Sequence, residues 1–273
     1  MKNVLYTEWL KLRHYGAFWL IMIVTALSYP GINYMFYHEY QQMLGNESKA
    51  GAMVKLLIGD PFAMPEVWHT VAFFSSIFVF IPSIVVIMII TNEFSYKTQR
   101  QNIIDGWSRH QFILGKLLSI LMITLLITAL YIVVTIGIAI ANGTNFNQIQ
   151  FDQTKYVWFF ALQTFSQLSF AFFIGFLVRR AFLGLGLFIF YFLILENISV
   201  AVLRKFANDQ GRYLPIEMSD RIIPLPPFMG KMSNADRYQL LLNQVPTQIW
   251  LTIGFTILLW GASYWINFKR DLK

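Results

Sequence analysis

Residues 92 to 111 read NEFSYKTQRQNIIDGWSRHQ, a polar and basic segment between two long apolar stretches. The stretch before it, 67–91, and the stretch after it, 117–141, are each long enough to cross about 30 Å of hydrocarbon as a helix, which takes about 20 residues. Neither stretch shows the polar alternation of a barrel strand that faces a wet lumen. We therefore predict two membrane-spanning helices joined by a polar loop.

The composition of the whole chain agrees with a membrane protein. Of its 273 residues, 56% are hydrophobic and only 13% are charged, and the mean hydropathy is +0.53. Soluble domains carry about 25% charged residues. The sequence has no cysteine, which excludes disulfides, thiolate metal sites and cysteine nucleophiles.

Six stretches satisfy the length requirement, so we predict an all-α integral membrane protein formed by a single transmembrane domain, 1–273. The predicted spans are 17–36, 67–91, 117–141, 156–178, 181–203 and 247–268. Around them we expect an interfacial helix in 1–16, spans one and two within 17–91, a cytoplasmic loop at 92–116, spans three to five within 117–203, an external loop with short helices at 204–246, and span six with a tail at 247–273. Because the number of spans is even, both termini lie on one side.

Basic residues set the expected orientation. With cytoplasmic termini, the inside segments hold 12 of the 21 basic residues and four of the 14 acidic residues, whereas the outside segments hold nine of each. Short loops rich in Lys and Arg stay in the cytoplasm. We therefore attribute the formal charge of +7 to topology and not to nucleic-acid binding, and we expect a plasma-membrane protein.

The N-terminal segment, Lys2 to His14, has the pattern of an amphipathic helix. Leu5, Trp9 and Leu12 fall on one side of the helical wheel, and Glu8 and Lys11 fall on the other. Such a helix lies in the membrane interface. The alternative is that the segment is only a positively charged flank of the first span.

The sequence contains no recognisable enzyme motif. Gly115-Lys116 is followed by Leu117 and lacks the upstream glycine of a phosphate-binding loop, so the chain cannot hydrolyse ATP by that means. The four histidines are isolated, and no GxSxG elbow is present. We therefore expect that the chain is not an enzyme.

Within the basic segment, local signals predict how the loop folds. Ser108 is a candidate N-cap for the helix of span three, because its hydroxyl can accept a bond from an orphan amide. Gly106 permits the turn before it. The segment could dock a cytoplasmic partner, or it could serve only to fix the topology.

The pattern of this region resembles a known family. Glu93 follows span two, Thr98 lies about a turn later, and Gly106-Trp107-Ser108-Arg109 precedes Gly115-Lys116 at the entrance to span three. Together with the N-terminal helix and the six spans, this looks like the permease of ABC-2 type ABC transporters over essentially the whole chain. Lys97 is one departure, because it stands where the family often has glycine.

The resemblance implies a coupling helix in 92–111 that contacts soluble P-loop ATPase subunits, which bind the ATP, so no cofactor or metal is expected in this chain. It also implies ATP-driven export through a pathway shared with a second permease, identical or related. The permeases of peptide or antibiotic export and immunity systems are the most similar kind. The residues assigned to ATPase coupling in this way are Glu93, Lys97, Thr98, Arg100, Gly106, Trp107, Ser108, Arg109 and Lys116.

Glu196 and Asn197 form a polar pair inside predicted span five. A carboxylate in hydrocarbon is costly and normally faces a cavity or a partner, which makes this pair a candidate lining of the pathway. Glu196 also lies about two turns from the outer end of the span, where it could simply reach interfacial water. The sequence leaves both interpretations open.

Two other classes of protein compete with the transporter interpretation. One is a membrane scaffold or sensor subunit that docks a cytoplasmic partner through the 92–111 loop. The other is an intramembrane enzyme, which would require Glu196 or a histidine for activity.

Overall fold

The computed structural model describes residues 2–45, 59–104, 106–145, 149–233 and 235–269. All regular elements in these ranges are helical, which confirms the predicted all-α class. The predicted tail residues 270–273 lie outside the described ranges. In chain order the α-helices are α1 (Lys2–Arg13), α2 (Gly16–Gly45), α3 (Val67–Ser76), α4 (Phe80–Ser95), α5 (Thr98–Ile104), α6 (Arg109–Ala141), α7 (Lys155–Val178), α8 (Ala181–Phe190), α9 (Glu196–Phe206), α10 (Pro215–Asp220), α11 (Pro227–Ser233) and α12 (Ala235–Lys269).

Five helical segments are long and apolar enough to cross a membrane. They are Gly16–Gly45, Arg109–Ala141, Lys155–Val178, Ala181–Phe206 and Tyr238–Lys269. The pair α3 and α4 passes the same test as a unit but is bent by 48°. The described chain is therefore a multi-pass membrane protein with five spans, or six if the bent pair is one span.

Pro82 accounts for the position of this bend. It stands in the first turn of α4, just after the break at residues 77–79. Proline has no N–H with which to bond the carbonyl four residues earlier. That carbonyl, on Phe78, instead accepts the N–H of Ile81 at 3.1 Å, a tighter turn than an α-helix makes.

Helix α7 forms the centre of the bundle and is the most buried of the five candidate spans. It packs against α4, α6, α8 and α12. A Cβ added at Gly175 would lie 2.6 Å from Cγ2 of Ile90 and 3.3 Å from Cα of Ile87, so only glycine allows α4 to come this close to α7.

The boundaries of two helices differ from the predicted spans. Helix α2 continues to Gly45, beyond the predicted end of span one, and α12 begins at Ala235, inside the predicted external loop. Helix α12 runs through Pro246, the predicted end of that loop. A buried transmembrane helix tolerates proline because neighbouring groups satisfy the carbonyl that is freed.

The side of α1 that faces the bundle also differs from the prediction. Val4, Glu8 and Leu12, four residues apart, are buried, whereas Leu5 is 42% exposed. Glu8, which the helical wheel placed on the polar side, therefore faces the protein. The reason is that positively charged side chains lie on that side of α1 and pair with the carboxylate.

Candidate functional site

Four charged side chains meet at the end of the bundle that carries both described ends of the chain. Glu8 on α1 accepts hydrogen bonds from Nζ of Lys116 at 2.6 Å and from Nζ of Lys11 at 3.0 Å. Glu93 near the end of α4 accepts from the same two lysines at 2.5 Å and 3.0 Å. Ser119 adds a bond to Glu8 at 2.8 Å. We call Glu8, Lys11, Glu93, Lys116 and Ser119 the charge cluster.

The charge cluster is buried and electrically neutral. Glu8, Lys116 and Glu93 are 1%, 2% and 6% exposed. Burial by itself would raise the pKa of Glu8, but the positive charges of Lys116 and Lys11 and the hydrogen bonds outweigh burial and lower this pKa to about 2. The cluster therefore holds α1, α4 and α6 together. Separating its ions would leave buried charges without their partners, and the desolvation penalty of those charges would no longer be offset.

Gly115 lets α1 approach α6 closely enough to form the charge cluster. A Cβ at this position would stand 3.3 Å from Cγ1 of Val4 and 3.4 Å from Cγ of Glu8. The next residue, Lys116, then points at both glutamates. In the Gly115-Lys116 dipeptide, the glycine thus allows α1 and α6 to approach closely, and the lysine supplies a buried cation.

The segment between α4 and α5 attaches the polar loop to the charge cluster. Lys97 adopts a φ of 56°, a left-handed conformation that glycine reaches at lower cost. Thr98 begins α5, and its hydroxyl donates to the carbonyl of Glu93 at 3.3 Å. Lys11 lies 5.6 Å from the centre of the Trp107 ring, a cation–π distance.

Ser108 is the N-cap of α6, as the sequence predicts. Its hydroxyl accepts the N–H of Gln111 at 3.1 Å, and the side chain of Gln111 accepts the N–H of Ser108 at 2.8 Å. This reciprocal pair is a capping box. Gly106 makes the preceding turn with a φ of 100°.

A second attachment ties the loop to the last helix. Arg109 donates from Nη1 to the carbonyls of Phe268 at 2.7 Å and Asn267 at 3.3 Å. Asn267 returns a bond to the carbonyl of Arg109 at 3.0 Å, and Gln99 on α5 donates to Asn267 at 3.1 Å. The loop is therefore held between the charge cluster and the end of α12.

The outer surface of the loop remains uncovered. Tyr96 and Ile104 are 76% and 75% exposed, and Arg100 and Gln101 between them are also exposed. These residues follow the end of α4 or lie on α5, outside the candidate spans. Large apolar side chains exposed together are typical of an interaction surface, which makes this face a candidate for one. We call Tyr96, Lys97, Arg100, Gln101 and Ile104 the docking face.

The predicted coupling residues separate into groups by their surroundings. Glu93 and Lys116 are in the charge cluster, Lys97 and Arg100 are on the docking face, and Arg109 contacts α12. The remaining four shape or support the loop, namely Thr98, Gly106, Trp107 and Ser108.

Sequence reasoning missed the partners of these residues. Glu8 could have been found, because it interrupts the stripe of Val4 and Leu12 on α1 with a carboxylate. Gln99 and Asn267 carried no such signal, since neither stands in a recognisable pattern and 168 positions separate them.

Glu196 and Asn197 lie at the other end of the bundle. One oxygen of Glu196 accepts the backbone N–H groups of Ile216 and Glu217, each at 2.7 Å. The carboxylate thus caps α10, and at 4% exposure it is not simply solvated. Asn197 donates to the carbonyls of Phe192 and Leu193 in the π-helical turn between α8 and α9.

A search among curated proteins finds no match to the chain. A family described as ABC-2 family transporter protein matches residues 4–195, a range that contains most of α1, the bent pair, the docking face and the whole charge cluster. Permeases of this family are the transmembrane components of ABC transporters and are generally not catalytic themselves. The chain therefore belongs to the ABC-2 transporter family, as a multi-pass membrane permease.

Proposed function

We propose that the chain is the transmembrane subunit of an ATP-driven ABC-2 exporter and that separate P-loop ATPase subunits attach at the docking face. In this proposal the α3–α4 pair is one span, so the chain crosses the plasma membrane six times with both termini in the cytoplasm. ATP and its chemistry belong to the ATPase. Export as the direction rests on the family.

The exposure of Tyr96 and Ile104 carries this proposal. A helix that only connected two spans would gain nothing from presenting large apolar side chains to water. Arg100 between them adds a positive charge, and Arg is enriched at protein interfaces. An apolar surface with a basic centre suits a partner surface of apolar and acidic side chains.

The contacts between the docking face and the helix bundle would transmit a displacement of the docking face to the bundle. A displacement of α5 reaches α1, α4 and α6 through Glu93 and the charge cluster. It reaches α12 through Gln99 and Asn267. A movement of the ATPase would in this way move several helices together, which is what coupling ATP hydrolysis to transport requires.

A second permease copy, identical or related, completes the pathway in this proposal. The segment Ala181–Phe206 is the least buried of the five candidate spans and presents a long apolar face, which suits a partner helix or lipid. Glu196 and Asn197 remain the proposed pathway residues. No observation favours the alternative of a scaffold or sensor subunit that docks a cytoplasmic partner.

Co-purification from the native membrane tests the docking face. We expect Ile104→Glu and Arg100→Glu to reduce the recovered ATPase by roughly tenfold or more, since losing an interface anchor costs about 2 kcal/mol or more and each 1.4 kcal/mol is about tenfold. Arg13→Glu is the matched control, because Arg13 is an exposed basic residue on α1 at the same end of the bundle. Equal recovery from all three variants would refute the proposed attachment.

A further inference from the structure

The opposite end of the bundle contains a cavity of about 600 Å³. It lies between α3, α9, α10, α11 and α12, away from the charge cluster. Apolar side chains form much of its wall, among them Phe73, Leu225 and Leu241. This volume is within the range of pockets that hold small organic ligands.

Most of the charged groups in the cavity neutralise one another. Arg221 makes a two-pronged ion pair with Asp209 at 2.6 Å and 2.8 Å and donates from Nε to Glu217 at 2.7 Å. Arg204 approaches the same two carboxylates at 3.7 Å and 3.6 Å. Two guanidinium groups and two carboxylates thus form a closed, neutral network.

Asp220 is the remaining acidic residue among those that line the cavity. Its Oδ1 accepts hydrogen bonds from Nε2 of Gln163 and of Gln167, both at 2.7 Å, and these amides are neutral. No lysine or arginine whose side chain is described forms an ion pair with it. The side chain of Asp220 is exposed to the cavity that it lines. Among the described side chains that line the cavity, Asp220 is therefore a carboxylate without a countercharge.

Hydrogen-bond acceptors are also in excess around Asp220. The amide oxygens of Gln163 and Gln167 are buried and have no donor in the described part of the chain. The amide oxygen of Gln244, which lines the cavity, is in the same condition. Buried acceptors of this kind are costly unless something donates to them. The described residues of the site therefore leave one positive charge and several N–H donors to be supplied.

We propose that this cavity binds an amphipathic ligand with a single primary ammonium group, which sits on Asp220 while an apolar stem lies against Phe73 and Leu225. An ammonium supplies both missing elements, one charge and three N–H donors. A quaternary amine would supply the charge without donors, and a hydrated metal ion would gain nothing from the apolar wall. This site is independent of ATPase attachment, so the two proposals can fail separately.

The proposal implies a dependence on pH, because only the ionised carboxylate attracts the ammonium. Burial is the largest influence on the pKa of Asp220, and the nearby carboxylates of Glu217 and Glu196 add to it. The hydrogen bonds from Gln163 and Gln167 oppose them, and the pKa is raised to about 7. The other ionisable groups that line the cavity from neighbouring elements are Arg204, Asp209, Arg221 and Tyr238.

Calorimetric titration of the purified chain in lipid nanodiscs tests the site with two matched probes, 2-phenylethylamine and the neutral 2-phenylethanol. At pH 8 we expect the amine to bind at least about tenfold more tightly than the alcohol, since a charge-assisted hydrogen bond contributes that much. Between pH 8 and pH 6 this preference should fall by about tenfold as a proton occupies Asp220.

The variants then identify the residue responsible. Asp220→Asn should abolish both the amine preference and its pH dependence, whereas Asp236→Asn, an exposed acidic position on α12, should retain both. Equal binding of amine and alcohol by the unmodified chain would overturn the proposal without any variant. An unchanged preference in Asp220→Asn would overturn it as well. ATPase co-purification should be unaffected by either substitution.

Discussion

Lys116→Met removes the most buried cation of the charge cluster and keeps the length of the side chain. Glu8 and Glu93 would then face each other at 1% and 6% exposure with only Lys11 between them. Breaking a buried ion pair from one side costs about 3–5 kcal/mol, because it leaves a charge without its partner. We expect a loss of this size in the free energy of unfolding.

The pKa of Glu8 reflects the net effect of burial, of both lysines and of Ser119 on its carboxylate. Its folded value of about 2 lies below the ordinary 4.5, which corresponds to about 3 kcal/mol in favour of the ionised form. Since the folded pKa is the lower one, this contribution is fully present above pH 4.5 and is lost as the pH falls toward 2.

Unfolding in mixed micelles, by titration with a denaturing detergent, measures the effect. Lys11→Met is the matched control, because Lys11 bonds the same glutamates with a side chain that is 31% exposed and should lose only about 1 kcal/mol or less. The deficit of Lys116→Met should shrink at low pH, since one glutamate then takes up a proton. Equal losses in the two variants would show that burial of the cluster is not what stabilises it.

Three further substitutions test local features. Ser108→Ala removes the capping box and should lower stability by about 1 kcal/mol in the same titration, with Ser95→Ala, a non-cap position, nearly neutral. Lys97→Gly should not destabilise, because glycine reaches a φ of 56° more easily, whereas Lys97→Val should; the opposite order would exclude backbone strain there. Glu196→Leu should release the amides of Ile216 and Glu217 and speed proteolysis after α9. Glu196→Gln should impair transport, as expected of a pathway residue. Wild-type behaviour of both variants would contradict these roles.

The helices could be predicted from the sequence wherever a single physical signal was dominant. A continuous apolar run longer than the bilayer thickness leaves few alternatives to a helix, and Ser108 with Gln111 three residues later is a local cap signal. The bend at residues 77–79 is not among these predictions, because a proline such as Pro82 in the first helical turn can also be accommodated without a bend.

The charge cluster could not be derived in the same way. Its members come from α1, α4 and α6, and their positions, 8, 93 and 116, acquire a relation only when those helices pack. The helical wheel placed Glu8 on the polar side because it weighed the residue alone. Packing reversed this placement, since a carboxylate between two lysines can be buried at lower cost than one without partners.

The docking face illustrates the same limit. The sequence indicated that residues 92–111 could contact a partner, but not which side chains face outward. Arg109, which the resemblance assigned to ATPase coupling, also joins the loop to α12, a contact that the sequence did not indicate. Tyr96 and Ile104 are the large apolar side chains that the structure leaves exposed there.

The attachment of an ATPase at the docking face is the central claim, and site-specific crosslinking tests it most directly. The chain has no cysteine, so Ile104→Cys can carry a photoreactive benzophenone at a unique site in the native membrane, with Leu125→Cys on the exposed apolar surface of α6 as the control. We predict a crosslink to a soluble P-loop ATPase from position 104 and none from position 125. A probe at position 104 that reacts only with lipid, or with a protein of another class, would contradict the account.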